Sequence, residues 1–251
     1  MADHIEAQGS EMKQPSVEKA SRARSTPPQL VRIWNVARCW IRFSLAASQG
    51  GVPALTDFVY GNHYFNAVQV PSELAAFGEI LAAHCPERAL EVGTARGGTL
   101  FFITRLASPQ ATIISVDLPG AWSGGGYGRA RRWVYKLFAR RRQRLQLLQG
   151  NSQSREMLDR VVAALSGQGL DFLFLDADHS YEGVKKDFEL YAPLVQKGGI
   201  IALHDIAEHP PTSACEVSRF WNEIKSRYRH IEIIKDRRQA WAGIGVLYID
   251  R

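Results

Sequence analysis

The chain has 251 residues, of which 45% are hydrophobic and 22% charged; that composition supports a sizeable core and excludes global disorder, and the length fits one large domain or one domain with an appendage. Three widely spaced cysteines, Cys39, Cys85 and Cys215, exclude a disulfide scaffold and any CxxC zinc or redox site and suit a reducing compartment, so a cytoplasmic protein is expected. No run of about 18 apolar residues suggests a transmembrane helix, the polar, acidic start MADHIEAQGSEMKQ is no secretory signal, and the net charge of +6 permits an anionic partner without demonstrating one.

Residues 1–28 lack hydrophobic periodicity and read as a disordered tail. Residues 29–70 read as a helical extension. Within it Leu30, Ile33, Trp34, Ala37, Trp40, Ile41 and Leu45 recur at helical spacing over 29–48, a helix for the core, for a second subunit or for a membrane surface. The main domain is expected over 71–251. Pro71-Ser72 opens a helix to about His84. Then strands are predicted at 88–93, 111–118, 145–151, 170–178 and 198–206. Helices are predicted at 97–107, 129–143, 154–165, 181–195 and 215–228. Strands at 230–236 and 243–250 close the chain. Strands alternating with helices mean an α/β protein with a mostly parallel sheet. The last two strands have no helix between them and should form an antiparallel hairpin at the sheet edge.

The strongest local signal follows the first strand: Glu91-Val92-Gly93-Thr94-Ala95-Arg96-Gly97-Gly98-Thr99. Gly93 permits a tight turn, and Gly97 removes a side chain where a ligand would approach the backbone. The loop is neither the dinucleotide GxGxxG pattern, since Ala95 replaces its second glycine, nor a P-loop. It therefore suits a nucleoside ligand without a pyrophosphate cradle. Asp117, followed by Leu118, ends the second strand, where a carboxylate can accept hydrogen bonds from a ribose diol. Asn151 or Ser152, after the third strand, could meet an adenine ring, although Ser152 or Ser154 can equally cap the next helix. Asp176, Asp178 and His179 end the fourth strand, and His204-Asp205 ends the fifth. Adjacent strands would bring both clusters into one crevice, a costly gathering of ionisable groups unless it is used.

The stretch from about 71 to 250 resembles the class I S-adenosylmethionine-dependent methyltransferases. The resemblance rests on EVGTARGGT, SVDLPG, QGNS and LDADHSYEGVKKDFELYAPLVQKGGIIALHDI. The last run is similar to the branch of macrocin-type sugar O-methyltransferases and cephalosporin-hydroxylase-like proteins. The resemblance implies a Rossmann-like, seven-stranded sheet of order 3-2-1-4-5-7-6 with an antiparallel seventh strand. It also implies that Glu91, Gly93 and Gly97 border the methionine part of S-adenosylmethionine and that Asp117 holds the ribose; Thr94, Leu118, Asn151, Ser152 and Asp176 are further candidate cofactor contacts. Metal-dependent relatives carry acid or amide oxygens at both positions ending the fifth strand, whereas His204-Asp205 stands here. Two schemes stay open: Asp176 and Asp205 hold a Mg2+, or His204 or His179 deprotonates the acceptor with an aspartate orienting it.

Residues 129–142 hold a run of arginines and no acid, with Trp133, Val134, Leu137 and Phe138 as an apolar stripe. A solvated face over a packed stripe, a lid, a nucleic-acid patch and an anionic membrane contact are its readings. The leading functional expectation is methyl transfer to an oxygen of a small molecule. Its rivals are an RNA methyltransferase and a non-catalytic cofactor-binding subunit. Homo-oligomerisation through 29–48 is a further expectation.

Overall fold

The computed structural model describes residues 50–61, 65–120, 126–140 and 142–250, together with Asn35, Arg38 and Arg42. The chain divides into two units, 1–38 and 39–251, and the second holds the sheet. The expected tail over 1–28 and nearly all of the expected helix over 29–48 lie outside the described residues.

Seven strands form one sheet: β1 (Arg88–Val92), β2 (Thr112–Asp117), β3 (Arg144–Gln149), β4 (Leu170–Leu175), β5 (Val195–His204), β6 (Arg229–Ile233) and β7 (Ile244–Tyr248). Their order is β3-β2-β1-β4-β5-β7-β6. β7 runs antiparallel to both neighbours, and the other pairings are parallel. The helices are α1 (Val52–Tyr60), α2 (Pro71–His84), α3 (Gly98–Leu106), α4 (Arg129–Lys136), α5 (Arg155–Leu165), α6 (Tyr181–Tyr191) and α7 (Val217–Ile224). The order reverses between β1 and β4, which opens a crevice at the carboxyl ends of the strands.

Local chemistry places the boundaries. Pro71 occupies the first turn of α2, where its missing N–H costs nothing. Ser154 and Ser180 cap α5 and α6 by accepting hydrogen bonds from Met157 N and Gly183 N. β1, β2 and β4 are buried almost throughout, as a parallel sheet covered on both faces requires. Trp221 of α7 is 1% exposed and donates from Nε1 to Glu232 at 2.8 Å. A Cβ at Gly245 of β7 would lie 2.5 Å from its ring, so glycine there makes room for the indole.

Two elements differ from the sequence reading. The basic helix stops at Lys136 instead of 143. Its buried aromatic is Tyr135, joined by Phe138 in the turn just beyond its end, while Trp133 of the expected stripe is 57% exposed. Tyr135 is buried because it packs on the glycine loop: a Cβ at Gly97 would meet its ring at 2.5 Å. The second difference is α1, a separate short helix inside the expected extension. Val52, Leu55 and Val59 of α1, with Phe65 and Ala67, share the core over one face of the sheet. Phe65 lies with its ring centroid 5.0 Å from Phe101 and 4.8 Å from Phe138, joining the segment before α2 to α3 and to the turn after α4. Among the described residues no helix is long and apolar enough to cross a membrane.

Candidate functional site

The glycine loop leaves β1 through Gly93, whose φ of +93° suits glycine. Gly93 N donates to Val116 O, and Asp176 N donates to Val92 O, so the ends of β2 and β4 are laced to the end of β1. Gly97 stands in the left-handed region at the start of α3. Below the loop, Thr94 Oγ1 donates to Glu91 Oε2 at 2.7 Å and contacts Ser115 Oγ, which contacts Tyr127 Oη. The other oxygen, Glu91 Oε1, is buried with no hydrogen-bond partner among the described residues. Burial pushes the Glu91 carboxyl up to about 8, against hydrogen bonds from Thr94 and Thr99.

This has a consequence for stability. A folded-state pKa near 8 against an ordinary 4.5 means that the native state binds the extra proton between these values. The contribution is therefore present in full below pH 4.5 and is lost as pH rises through 8. Urea titrations across this window are expected to show a steeper loss of stability in the wild type than in Glu91→Gln. Equal slopes would contradict a protonated Glu91.

Asp117 ends β2. Its Oδ1 accepts from Leu118 N at 2.9 Å and its Oδ2 from Gly126 N at 2.8 Å. Burial raises its pKa, and backbone N–H groups of Gly126, Leu118, Ala95 and Thr94 oppose the rise. The Leu118 side chain is half exposed. Asn151 is exposed; its Oδ1 accepts from Gln153 N at 2.9 Å and its carbonyl from Ser154 Oγ at 2.9 Å. Ser152 O accepts from Tyr191 Oη at 2.6 Å. These local bonds shape the turn after β3, and Ser154, not Ser152, caps the helix.

At the ends of β4 and β5 the sequence-distant residues do converge. His204 Nδ1 lies 3.1 Å from Asp176 Oδ1 and 3.3 Å from Asp205 Oδ2. His179 Nε2 lies 3.4 and 3.5 Å from the same two oxygens. Asp205 holds a φ of +61°, and its Oδ1 accepts from Ala242 N at 3.1 Å, which ties it to the loop between β6 and β7. Burial opposes charge on His204, but Asp176 and Asp205 outweigh it and hold the imidazole up to about 10. Burial likewise opposes charge on Asp176 and Asp205, and His204 beside them brings both below the usual carboxylate range. The hydrogen bond to Asp176 raises His179 against its own burial. The His179 side chain is 39% exposed and that of His204 only 4%. Asp178 stands apart, accepting from Ser180 N at 3.0 Å and Ser180 Oγ at 2.8 Å at the start of α6.

Three neighbours have no sequence motif to announce them. Gln69, just before α2, donates from Nε2 to Asp176 Oδ2 at 2.7 Å, and its Oε1 is buried without a hydrogen-bond partner among the described residues. His209 Nε2 lies 3.3 Å from Asp205 Oδ1. Cys215 offers its sulfur within 4.8 Å of ligand atoms of His179 and Asp205. A spacing of four between Asp205 and His209 is the sole hint that the sequence offers for any of them.

The residues fit S-adenosylmethionine: an orphaned buried carboxyl oxygen at Glu91, a glycine-containing loop and an acid at the end of β2 lie along one rim. Mg2+ between Asp176 and Asp205 fits poorly. That ion takes oxygen ligands in a near-octahedral shell at about 2.0–2.1 Å, and here ring nitrogens crowd the facing carboxylate oxygens.

Residues 90–206 match the family model described as "Methyltransferase domain". The sheet order and the match together make these residues similar to a class I, Rossmann-like methyltransferase domain. Among solved structures, an O-methyltransferase from Bacillus cereus in complex with SAH is 15% identical, with 81% of this chain and 90% of that one covered at a TM-score of 0.52. Cofactor-bound Rv0187 from MTB is 16% identical, with 90% and 98% covered at 0.54. The O-methyltransferase TomG from Streptomyces achromogenes, involved in tomaymycin synthesis and in complex with SAM, is 14% identical, with 82% and 90% covered at 0.51. At these identities the likeness is one of fold. A curated relative, the uncharacterized protein R132 of Acanthamoeba polyphaga mimivirus, is 46% identical over 41 residues, 16% of this chain and 19% of that protein. The match thus spans about a fifth of that relative's length.

Proposed function

We propose that the protein transfers a methyl group from S-adenosylmethionine to an oxygen of a small-molecule acceptor, a sugar or natural-product hydroxyl, in the cytoplasm. One observation carries the reading. The glycine loop and Asp117 lie at the same sheet edge as the Asp176–His179–Asp205 cluster, with the end of β1 laced to the ends of β2 and β4 between them. The cofactors in the solved relatives with this fold support it. The cofactor supplies a methyl carbon already activated on a cationic sulfonium. What remains for the chain is alignment and removal of one proton. Glu91, Gly93, Thr94 and Gly97 border the methionine part, Asp117 and Leu118 the ribose, and Asn151 and Ser152 the base.

His179 is the proton acceptor. Its Nε2 lies within 3.5 Å of Asp176 and Asp205, which leaves Nδ1 without a hydrogen-bond partner among the described residues. The ring is partly exposed, so an acceptor hydroxyl can reach it, whereas His204 is enclosed. Asp176 orients His179 and offsets the charge that it gains.

The cofactor half of the reading is tested first. Asp117→Ala is expected to weaken S-adenosylmethionine binding by about 1.5–3 kcal/mol, the cost of losing charge-assisted hydrogen bonds to a diol. Isothermal titration measures it. Unchanged affinity, or preferential binding of NAD by the wild type, would remove the assignment.

A further inference from the structure

We infer that His204 takes the place of a magnesium ion: its ring, set between Asp176 and Asp205, binds these two carboxylates together, and the site holds no Mg2+ in its working state. The inference rests on reading the cluster as the acceptor half of a methyl-transfer centre.

The carboxylate oxygens are all engaged. Asp176 Oδ1 and Asp205 Oδ2 each face two ring nitrogens, His204 Nδ1 at 3.1 and 3.3 Å and His179 Nε2 at 3.4 and 3.5 Å. Asp176 Oδ2 accepts from Gln69 Nε2 at 2.7 Å. Asp205 Oδ1 accepts from Ala242 N at 3.1 Å and has His209 Nε2 at 3.3 Å. Every oxygen of both acids thus faces nitrogen of the protein itself. A small hard cation bridging Asp176 and Asp205 would have to displace a ring nitrogen, lose hydrogen bonds and accept nitrogen in its shell, which magnesium does poorly.

His204 cannot readily step aside. It is the last residue of β5, paired with Ile244 of β7, and its side chain is 4% exposed. The backbone just beyond is fixed as well. Asp205 sits in the left-handed region, and Ala207 N donates to Ala242 O at 2.9 Å. His204 joins the acids, and its enclosed ring leaves contact with the acceptor to the partly exposed His179. His204 is thus a positioning residue, and His179 remains the group that takes the proton.

The test is a change of metal affinity at one position. Full-length wild type and His204→Asp are titrated with MgCl2 and MnCl2 by calorimetry, and Mn2+ binding is read independently by electron paramagnetic resonance. The wild type is expected to bind neither ion stoichiometrically and to keep its melting temperature in EDTA. His204→Asp, with an oxygen donor beside two carboxylates, is expected to bind one equivalent at least about tenfold more tightly than the wild type and to gain melting temperature on adding it. Stoichiometric binding of either ion by the wild type, lost in Asp205→Asn, overturns the inference. So does a folded His204→Asp that binds no ion. If His204→Asp does not fold, His204→Asn replaces it, and the wild-type titration decides on its own. S-adenosylhomocysteine is titrated into the same wild-type sample. Failure of that binding removes the methyl-transfer reading, while the metal titration still judges His204.

Discussion

His179→Ala is expected to lower methyl transfer by about 10²–10⁴-fold, the range over which a positioned general base acts, with cofactor affinity unchanged. The His179 ring lies within 3.5 Å of Asp176 and Asp205, and its exposure admits an acceptor. A base must be unprotonated to act. Because Asp176 raises the His179 pKa above the ordinary 6.5, the acid limb of the kcat/KM profile should lie above that pH. Weakening the Asp176 charge in Asp176→Asn should move the limb down. Release of S-adenosylhomocysteine over a pH series reports both effects. Wild-type turnover in His179→Ala, with the acid limb in place, would sink the assignment of the base.

Most of the fold is legible in the sequence because its signals are local. Apolar strands such as Phe172–Leu175 alternate with helices capped by Ser154 and Ser180, and the missing helix between the last two strands announces the antiparallel β7. The far end of the basic helix is not legible, because charge and apolar spacing look the same in a helix and in the turn after it. The burial of Tyr135 is decided instead by Gly97, which is distant in sequence and reached only through packing. The site divides in the same way. Asp176, His179, His204 and Asp205 end neighbouring strands, so a β4–β5 pairing suffices to gather them. Gln69 cannot be found this way. It reaches Asp176 only because the segment before α2 crosses the start of α3, where a Cβ on Gly98 would meet Ala67 N at 2.1 Å. That crossing is tertiary packing, with no pattern in the sequence around it. Strand-end spacing likewise places carboxylates where a metal would sit and a histidine at one ligand position, but does not show that the ring lies between the two acids.

The second large effect concerns Gly93. From the sequence, Gly93 is the glycine of a tight turn. The structure adds a collision within the protein: a Cβ on Gly93 would lie 2.0 Å from the carbonyl oxygen of Asp176 and 2.8 Å from Cα of Ala177. These are backbone atoms at the end of β4, so no rotamer relieves the contact. The φ of +93° adds strain for any β-branched residue. Forcing the ends of β1 and β4 apart would also break the hydrogen bond from Asp176 N to Val92 O, 2.9 Å long, and shift the carboxylate that orients His179. Overpacking and left-handed strain each cost about 1–3 kcal/mol, so Gly93→Val should lose about 2–6 kcal/mol of stability. Gly120 provides the comparison: its φ is +74°, and a Cβ there would have nothing within 4 Å, so Gly120→Ala tests strain without collision. Chemical denaturation of both variants separates the causes. If Gly93→Val proves no less stable than Gly120→Ala, the close approach of β1 and β4 is wrong. If Gly93→Val falls as expected, the glycine is required first by the protein's own backbone, before any cofactor arrives.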